Sequence, residues 1–491
     1  MLDYHLLLQH EENLDPANWD DLRQLGHQMI DDMMDYLQHI GERPIWQPTP
    51  ESTKEMLRSP LPIGPEKPDE VYGEFKTHIL PYPKGNIHPR FWSWVQGGGT
   101  PFAMLAELLA AGMNPNVAIG DHAAMYVEQQ VLDWCKEMLQ YPASASGILV
   151  SGGTLANFTA LIVARNAFDS RIREKGLRAL PTQLVLYAST EAHVCMQKAA
   201  EVIGLGREAV RQVQVNAAFE MDVEHLKQMI AADRAAGLAP FCVVGNAGTV
   251  NTGAIDPLAE ILAVCRAEKL WFHVDGAFGA LAKLVPEYQD RLAPIEQADS
   301  VAFDLHKWIC MPYEVGCVLV KDAALHRAAF ASQPNYLLSH ERGLAAGPDP
   351  FGNYGMELSR GFKALKVWMS LKEHGVDKFA RLVRQNIAQA YYLADLIVKE
   401  PKLELMAPVS MNIVCYRYNP GDMTNEQLNA LNKEILMLLH ERGLAAPSYS
   451  LIDGQYVIRM ANVNHRSKKE DFEALVHDTV ELGTQIHYTN A

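Results

Sequence analysis

Pairing cysteines are missing from this sequence. Its 7 cysteines, at positions 135, 195, 242, 265, 310, 317 and 415, include no CxxC and no metal-type spacing. An odd, scattered set excludes a disulfide framework and fits a reducing compartment. Basic clusters are missing as well. With 43 Lys and Arg against 59 Asp and Glu, a formal charge of -16, the chain offers no patch on which a nucleic acid backbone would be held. Nothing approaches the roughly 20 apolar residues of a membrane helix, since even the stretch from Phe102 to Ala111 is broken by Glu107. The opening Met1-Leu2-Asp3-Tyr4-His5, followed by Glu11, Glu12 and Asp15, lacks the basic start and apolar run of a targeting segment. A cytoplasmic protein with neither membrane nor nucleic acid as partner is expected. No internal repeat or low-complexity tract is seen.

What remains is an enzyme-sized globular chain. Its 491 residues, 48% hydrophobic and 21% charged, predict two or three domains at the usual roughly 100 to 200 residues each. Asp15-Pro16 followed by Leu22, Leu25, Met29, Ile30, Met33 and Leu37 reads as an amphipathic helix with proline in its first turn. The stretch from about Gly41 to Gly85 is rich in proline and reads as extended. Residues 1–100 are therefore expected to form a helical and extended arm that covers another subunit or folds over its own chain.

From 101 to 365 short apolar runs alternate with helical stretches. Strands are expected at Gly147 to Val150, Leu184 to Tyr187, Phe241 to Val244, Trp271 to Val274 and Gly316 to Val320. Helices are expected at Leu155 to Phe168, Ala192 to Ile203 and Pro257 to Lys269. This alternation predicts an α/β domain with a mostly parallel sheet and flanking helices, ligands gathering at the carboxyl ends of the strands. Residues 366–491 read as a small α+β domain.

Chemistry concentrates at those strand ends. Lys307 follows an apolar run and stands beside His306, and Asp275 closes the run Trp271-Phe272-His273-Val274. A lysine amine and a buried carboxylate awaiting a cation together suggest pyridoxal phosphate, held covalently by the lysine while the aspartate pairs with its ring nitrogen. Ser151-Gly152-Gly153-Thr154 can cradle a phosphate at a helix start, although an ordinary capped turn would read the same way. His193 is placed to stack on a flat ring, and Thr249 to hydrogen-bond a cofactor or substrate, with structural roles as the plain alternatives. Asp256 is expected to cap the helix that follows at Pro257.

These pieces, in this order, resemble the group II pyridoxal-phosphate decarboxylases, which include the aromatic-amino-acid and glutamate decarboxylases. The similarity runs over nearly the whole chain. It is carried by His88-Pro89-Arg90-Phe91, the Ser151 to Asn157 turn, His193, His273-Val274-Asp275-Gly276-Ala277, His306-Lys307-Trp308 and Arg360 to Trp368. The resemblance implies fold type I, as in aspartate aminotransferase, and a homodimer whose active sites are shared between subunits. It implies an internal aldimine at Lys307, with Gly152, Gly153, Thr154, His193, Thr249, Asp275, Ala277 and His306 around the cofactor. Tyr336, in Gln333-Pro334-Asn335-Tyr336, matches the tyrosine of the family's mobile loop that returns a proton after carbon dioxide leaves. No metal is implied.

Two departures bear on substrate and cofactor. Trp94-Val95-Gln96-Gly97-Gly98-Gly99-Thr100 replaces the aromatic-proline-threonine element of aromatic-specific relatives. Phe91, Trp92 and Trp94 there either line a substrate pocket or pack a core. Asp304 stands where several relatives have asparagine near the phosphate, so it must be offset by donors or turned away from the anion. The expected reaction is decarboxylation of an aromatic L-amino acid. The rivals are decarboxylation of an acidic amino acid, aldehyde-forming oxidative deamination, a metal hydrolase built on His273, Asp275, Asp304 and His306, or an inactive binding scaffold.

Overall fold

The first of two units, Met1–Gly85, is built on the helix Trp19–Gln38. The computed structural model describes residues 8–9, 12–332 and 341–490. Asn18 caps this helix, its side chain accepting from the Asp20 amide at 3.0 Å, and Asp20 and Asp21 suit the positive end of the dipole. Pro16 therefore lies ahead of the helix and not in its first turn, because Asn18 offers the stronger cap. On the helix, Asp32 accepts from Tyr72 Oη at 2.8 Å and Lys76 Nζ at 3.2 Å, which fastens it to the short helix Pro68–Glu74 and the turn after it. Gly85, at φ +88°, ends the unit against Ile45, whose carbonyl oxygen a Cβ would meet at 2.0 Å.

The second unit, Asn86–Ala491, contains two sheets. Strands β2 (Ser146–Val150), β3 (Leu184–Ser189), β4 (Val210–Val213), β5 (Ala239–Asn246), β6 (Trp271–Asp275), β7 (Ser300–Asp304) and β8 (Gly316–Val320) form one, in the order β2-β8-β7-β6-β5-β3-β4. All pair in parallel except β8, which runs against both its neighbours. Their side chains are almost all buried, as a sheet covered by helices on both faces requires. Among the covering helices are Gly153–Phe168, Cys195–Val202 and Leu258–Glu268. Register aligns the functional ends: Asn246 lies opposite Asp275, Asp275 opposite Ala302, and Gly316 opposite both Asp304 and Val150.

The other sheet has the order β1-β11-β12-β10-β9, from β1 (Phe91–Trp92), β9 (Leu403–Leu405), β10 (Ile413–Tyr418), β11 (Ala446–Ile452) and β12 (Gln455–Ala461). β1 joins it in parallel with β11. The helices Val376–Lys399, Asn425–Glu441 and Lys469–Asn490 accompany this sheet. Trp92, Tyr416 and Phe472 sit in its own hydrophobic core, separate from the core of the larger sheet. Trp92 stacks on Phe472 at 5.0 Å and donates to Ser467, so it packs that core. Among the described residues, no helix is long and apolar enough to cross a membrane.

Candidate active site

The carboxyl ends of β2, β3, β5, β6 and β7 converge on a cavity of about 470 Å³, within the usual ~300–1,000 Å³ of small-molecule sites. Each strand end delivers one part of its lining.

At the end of β2 the chain turns through Ser151 and Gly152 into the helix Gly153–Phe168. The turn packs backbone to backbone on β8, where a Cβ on Gly316 would lie 2.6 Å from Gly152 Cα. Behind it, the buried pair Arg360 and Glu128 grips Leu149: Arg360 Nη2 donates to its carbonyl at 2.8 Å, and its amide donates to Glu128 Oε1 at 3.3 Å. Among the described residues, no side chain accepts from the amides of Gly152, Gly153 or Thr154, which leaves these donors for an anion at the helix start.

β3 leads to His193, which precedes the helix Cys195–Val202 and lines the cavity. Its Nδ1 accepts from the Cys195 amide at 3.2 Å, so a proton on the neutral ring belongs on Nε2. Burial holds its pKa below the usual histidine range, against the pull of Asp275.

β5 ends at Asn246, in a loop organised from beneath by Asp256. That carboxylate accepts from the Asn246 amide and side chain, both at 2.8 Å, and from the Met221 amide at 2.8 Å. Burial pushes its pKa up to about 6. Asp256 therefore does not cap the next helix, which begins without a side-chain cap, because its oxygens are taken inside the loop. Thr249 is buried, and its hydroxyl accepts from the Ala254 amide at 3.1 Å and meets Thr252 at 3.2 Å. It shapes the loop and is not on the cavity wall.

Asp275 ends β6 nearly enclosed, with Oδ1 accepting from the Ala277 amide at 3.1 Å. Burial drives its pKa up, and Lys307 and His193 only partly offset that. Lys307 makes its ion pair with Asp304 instead, so a cation in the cavity would ease this charge. Two residues earlier on the same strand face, His273 meets Ser300 Oγ through Nδ1 at 2.8 Å and Asn157 Oδ1 through Nε2 at 2.7 Å. With both nitrogens engaged and its pKa lowered to about 3 by burial, His273 stays neutral and has no lone pair to offer a metal. The hydrolase reading loses its first ligand there.

β7 ends at Asp304 and is followed by the loop of His306 and Lys307. His306 Nδ1 is hydrogen-bonded to Val315 at 2.9 Å, and its ring lies 4.4 Å from that of Tyr313. Lys307 Nζ reaches into the cavity and donates to Asp304 Oδ2 at 2.8 Å. Gly97 backs this loop so closely that a Cβ there would stand 2.1 Å from the His306 carbonyl oxygen and 2.5 Å from that of Lys307.

The remaining wall comes from the segment after β1. Trp94 lines the cavity with about half its surface exposed. Its φ of 54° is unusual for a bulky residue, and contacts on both sides hold it: its amide donates to Ser448 Oγ at 3.2 Å, and its carbonyl accepts from Arg459 Nη1 at 2.8 Å. Arg459, buried on β12, also donates to the carbonyls of Val250 and Asn251, joining the Trp94 segment to the loop after β5. Phe91 is buried behind, 6.5 Å from Trp94 between ring centres, and does not line the cavity.

The structure thus brings Gly152, Gly153, Thr154, His193, Asp275, Ala277, His306, Lys307 and Trp94 around one cavity, and leaves Phe91 and Thr249 behind its lining. Tyr336 lies outside the described residues. Asn157, Asn246, Tyr313 and Arg459 are parts that sequence reasoning missed. Asn157 alone had a signal, standing one helical turn after Gly153.

These residues fit pyridoxal phosphate: unengaged amides for its phosphate, a buried acid short of a cation for its ring nitrogen, a histidine beside the ring space and a lysine amine. Residues 50–419 match the family model described as the pyridoxal-dependent decarboxylase conserved domain. The chain is 33% identical to an aromatic-L-amino-acid decarboxylase of Bacillus atrophaeus over 92% of this chain and 93% of that one. It is 29% identical to a phenylacetaldehyde synthase of Arabidopsis thaliana, over 91% and 93%. Its fold matches that of Oryza sativa TDC, crystallised with PLP and tryptamine, at a TM-score of 0.88, 24% identity and coverage of 96% and 100%.

Proposed function

This chain belongs to the pyridoxal-dependent decarboxylase family and is a pyridoxal-phosphate-dependent amino acid decarboxylase, and from that premise we propose that it converts an aromatic L-amino acid to its amine and carbon dioxide. The observation that carries this reading is the meeting of Lys307, Asp275, His193 and the Ser151 to Thr154 turn in one cavity. The aromatic substrate is supported by the decarboxylase relative and by the indole of Trp94 on the cavity wall.

Bound pyridoxal phosphate supplies an electron sink for the pair left behind when carbon dioxide departs. The chain supplies the rest. Lys307 would be the covalent anchor, and the amides of Gly152, Gly153 and Thr154 would hold the phosphate. Asp275 would keep a proton on the ring nitrogen, a positive charge that would ease its buried carboxylate. His193, with Ala277 and His306, would flank the ring. Tyr336 returns a proton to the substrate carbon. Trp94 contacts the substrate side chain directly, and Phe91 supports it from behind.

We further assign the chain to a cytoplasmic homodimer with shared active sites. The family resemblance and the exposed apolar residues near the cavity, Trp94, Val194 and Tyr313, support the dimer.

A panel of L-amino acids, read by amine release from the purified protein, tests the substrate. Aromatic amines are expected, and turnover confined to acidic or aliphatic substrates would overturn the assignment. The similarity to an aldehyde-forming enzyme raises a second reading, which assays for aldehyde, ammonia and peroxide separate from the first. Tyr336 favours the amine. Lys307→Ala is expected to abolish visible absorption that borohydride can fix to the wild-type protein.

A further inference from the structure

Asp304 has no part in the reaction as described, yet the chain makes unusual room for it. The residue is 1% exposed. Its Oδ2 accepts from Lys307 Nζ at 2.8 Å, and Oδ1 is buried with no hydrogen-bond partner among the described residues. His306 Nε2 stands off at 3.8 Å, beyond hydrogen-bond reach. Three glycines surround the carboxylate: a Cβ would lie 2.9 Å from Oδ2 on Gly153, 2.7 Å from Oδ1 on Gly316 and 3.6 Å from Oδ1 on Gly152. It is thereby turned toward the lysine, and none of the amides of the Ser151 turn donates to it.

A buried carboxylate is held best by a partner that carries positive charge. We propose that Asp304 is a positioning residue that keeps a proton on the Lys307 nitrogen, both in the free ammonium and after that nitrogen is double-bonded to the cofactor's aldehyde carbon. The step balances. One ammonium proton passes to Asp304 Oδ2, which frees the lone pair to attack the aldehyde carbon. The carbonyl oxygen then leaves as water, carrying that proton and a second one from nitrogen. One proton remains on nitrogen, facing the carboxylate, and it keeps the carbon electron-poor for the incoming substrate amine.

The surrounding charges agree in direction. Burial works against charge on Lys307, but Asp304, aided by Asp275, outweighs it and holds the ammonium pKa above the usual lysine value. The other titratable groups that feel Asp304 are His306 on the same loop, His193 and Cys195 after β3, Tyr313 before β8 and Cys317 on it. Burial keeps both histidines on the neutral side and the tyrosine and thiols protonated, so none replaces the carboxylate.

The inference rests on Lys307 being the anchoring lysine. Its test is the visible absorption of the cofactor-loaded protein, titrated with pH for the wild type and Asp304→Asn. Removing an adjacent opposite charge lowers such a pKa by about 1–3 pH units, so the variant is expected to lose its imine proton at least tenfold more readily. Superimposable titrations in a folded, yellow variant would overturn the proposal. Asp304→Ser is the second arm should the asparagine variant not fold. A wild type that itself loses the proton below about pH 7 also refutes it. A wild type with no absorption that borohydride can fix would instead refute the assignment of Lys307.

Discussion

At the scale of single residues, Asp275 and His273 show how one strand face can carry two opposite tasks. Both point the same way, as residues two apart on a strand must, but one is left wanting a cation and the other is sealed neutral. Asp275→Asn keeps the shape and removes the charge. Losing one preorganised electrostatic contact costs on the order of 10²–10³ in kcat, so that loss is expected with cofactor absorption retained; full activity in the variant would exclude the role. His273 gives a stability prediction. Its pKa falls from 6.5 to about 3 on folding, so the unfolded chain takes up a proton below about pH 6.5 that the folded chain refuses until about pH 3. Stability is full above that window and is lost as pH falls through it. At about 1.4 kcal/mol per pH unit, the loss is on the order of 5 kcal/mol. Urea unfolding of the cofactor-free protein at pH 7 and pH 4 should show a smaller difference for His273→Gln than for wild type. An equal difference would mean that His273 titrates normally. The sequence alone left His273 open as a metal ligand, because its partners, Asn157 and Ser300, come from a distant helix and strand.

Whole elements were easier to read than their contacts. The alternation of apolar runs and helical stretches located β2, β3, β5, β6 and β8 within a few residues, since strands buried on both faces read as continuous apolar runs. β4 was missed: its Val210-Arg211-Gln212-Val213 sits at the sheet edge, with Arg211 and Gln212 partly or fully open to solvent. β7 was recognised only as an apolar lead-in to Lys307. The glycines after Trp94 carried no stated reason in the sequence, and the structure gives Gly97 one, the close approach of the His306 and Lys307 carbonyls. Backbone cannot yield as a flexible side chain would. Gly97→Ala should therefore push the lysine loop away, destabilising the protein by about 1–3 kcal/mol and weakening cofactor capture. Unchanged urea midpoint and unchanged cofactor titration would show that the loop has slack. Arg459 was invisible for a related reason: a lone arginine in a strand carries no mark of the two loops it joins.

For the molecule as a whole, the ordered motifs identified the cofactor chemistry, because they fall at successive strand ends that the fold gathers around one cavity. Assembly is a property of surfaces and had no comparable motif. The helix Pro101–Met113 presents Leu108, Leu109 and Met113 to solvent, each more than half exposed, and Trp94, Val194 and Tyr313 are similarly open near the cavity. Exposed apolar groups on this scale mark association surfaces more often than free ones. If a second copy covers them, dimerisation and catalysis are linked by mass action. Sedimentation equilibrium should then find a dimer, and activity per chain should fall on dilution together with the dimer fraction. Leu109→Glu, which sets a charge on that surface without entering the cavity wall, should shift both curves to higher protein concentration while the monomer stays folded. A wild-type monomer with constant activity per chain across the same dilutions would show that one chain builds the whole site.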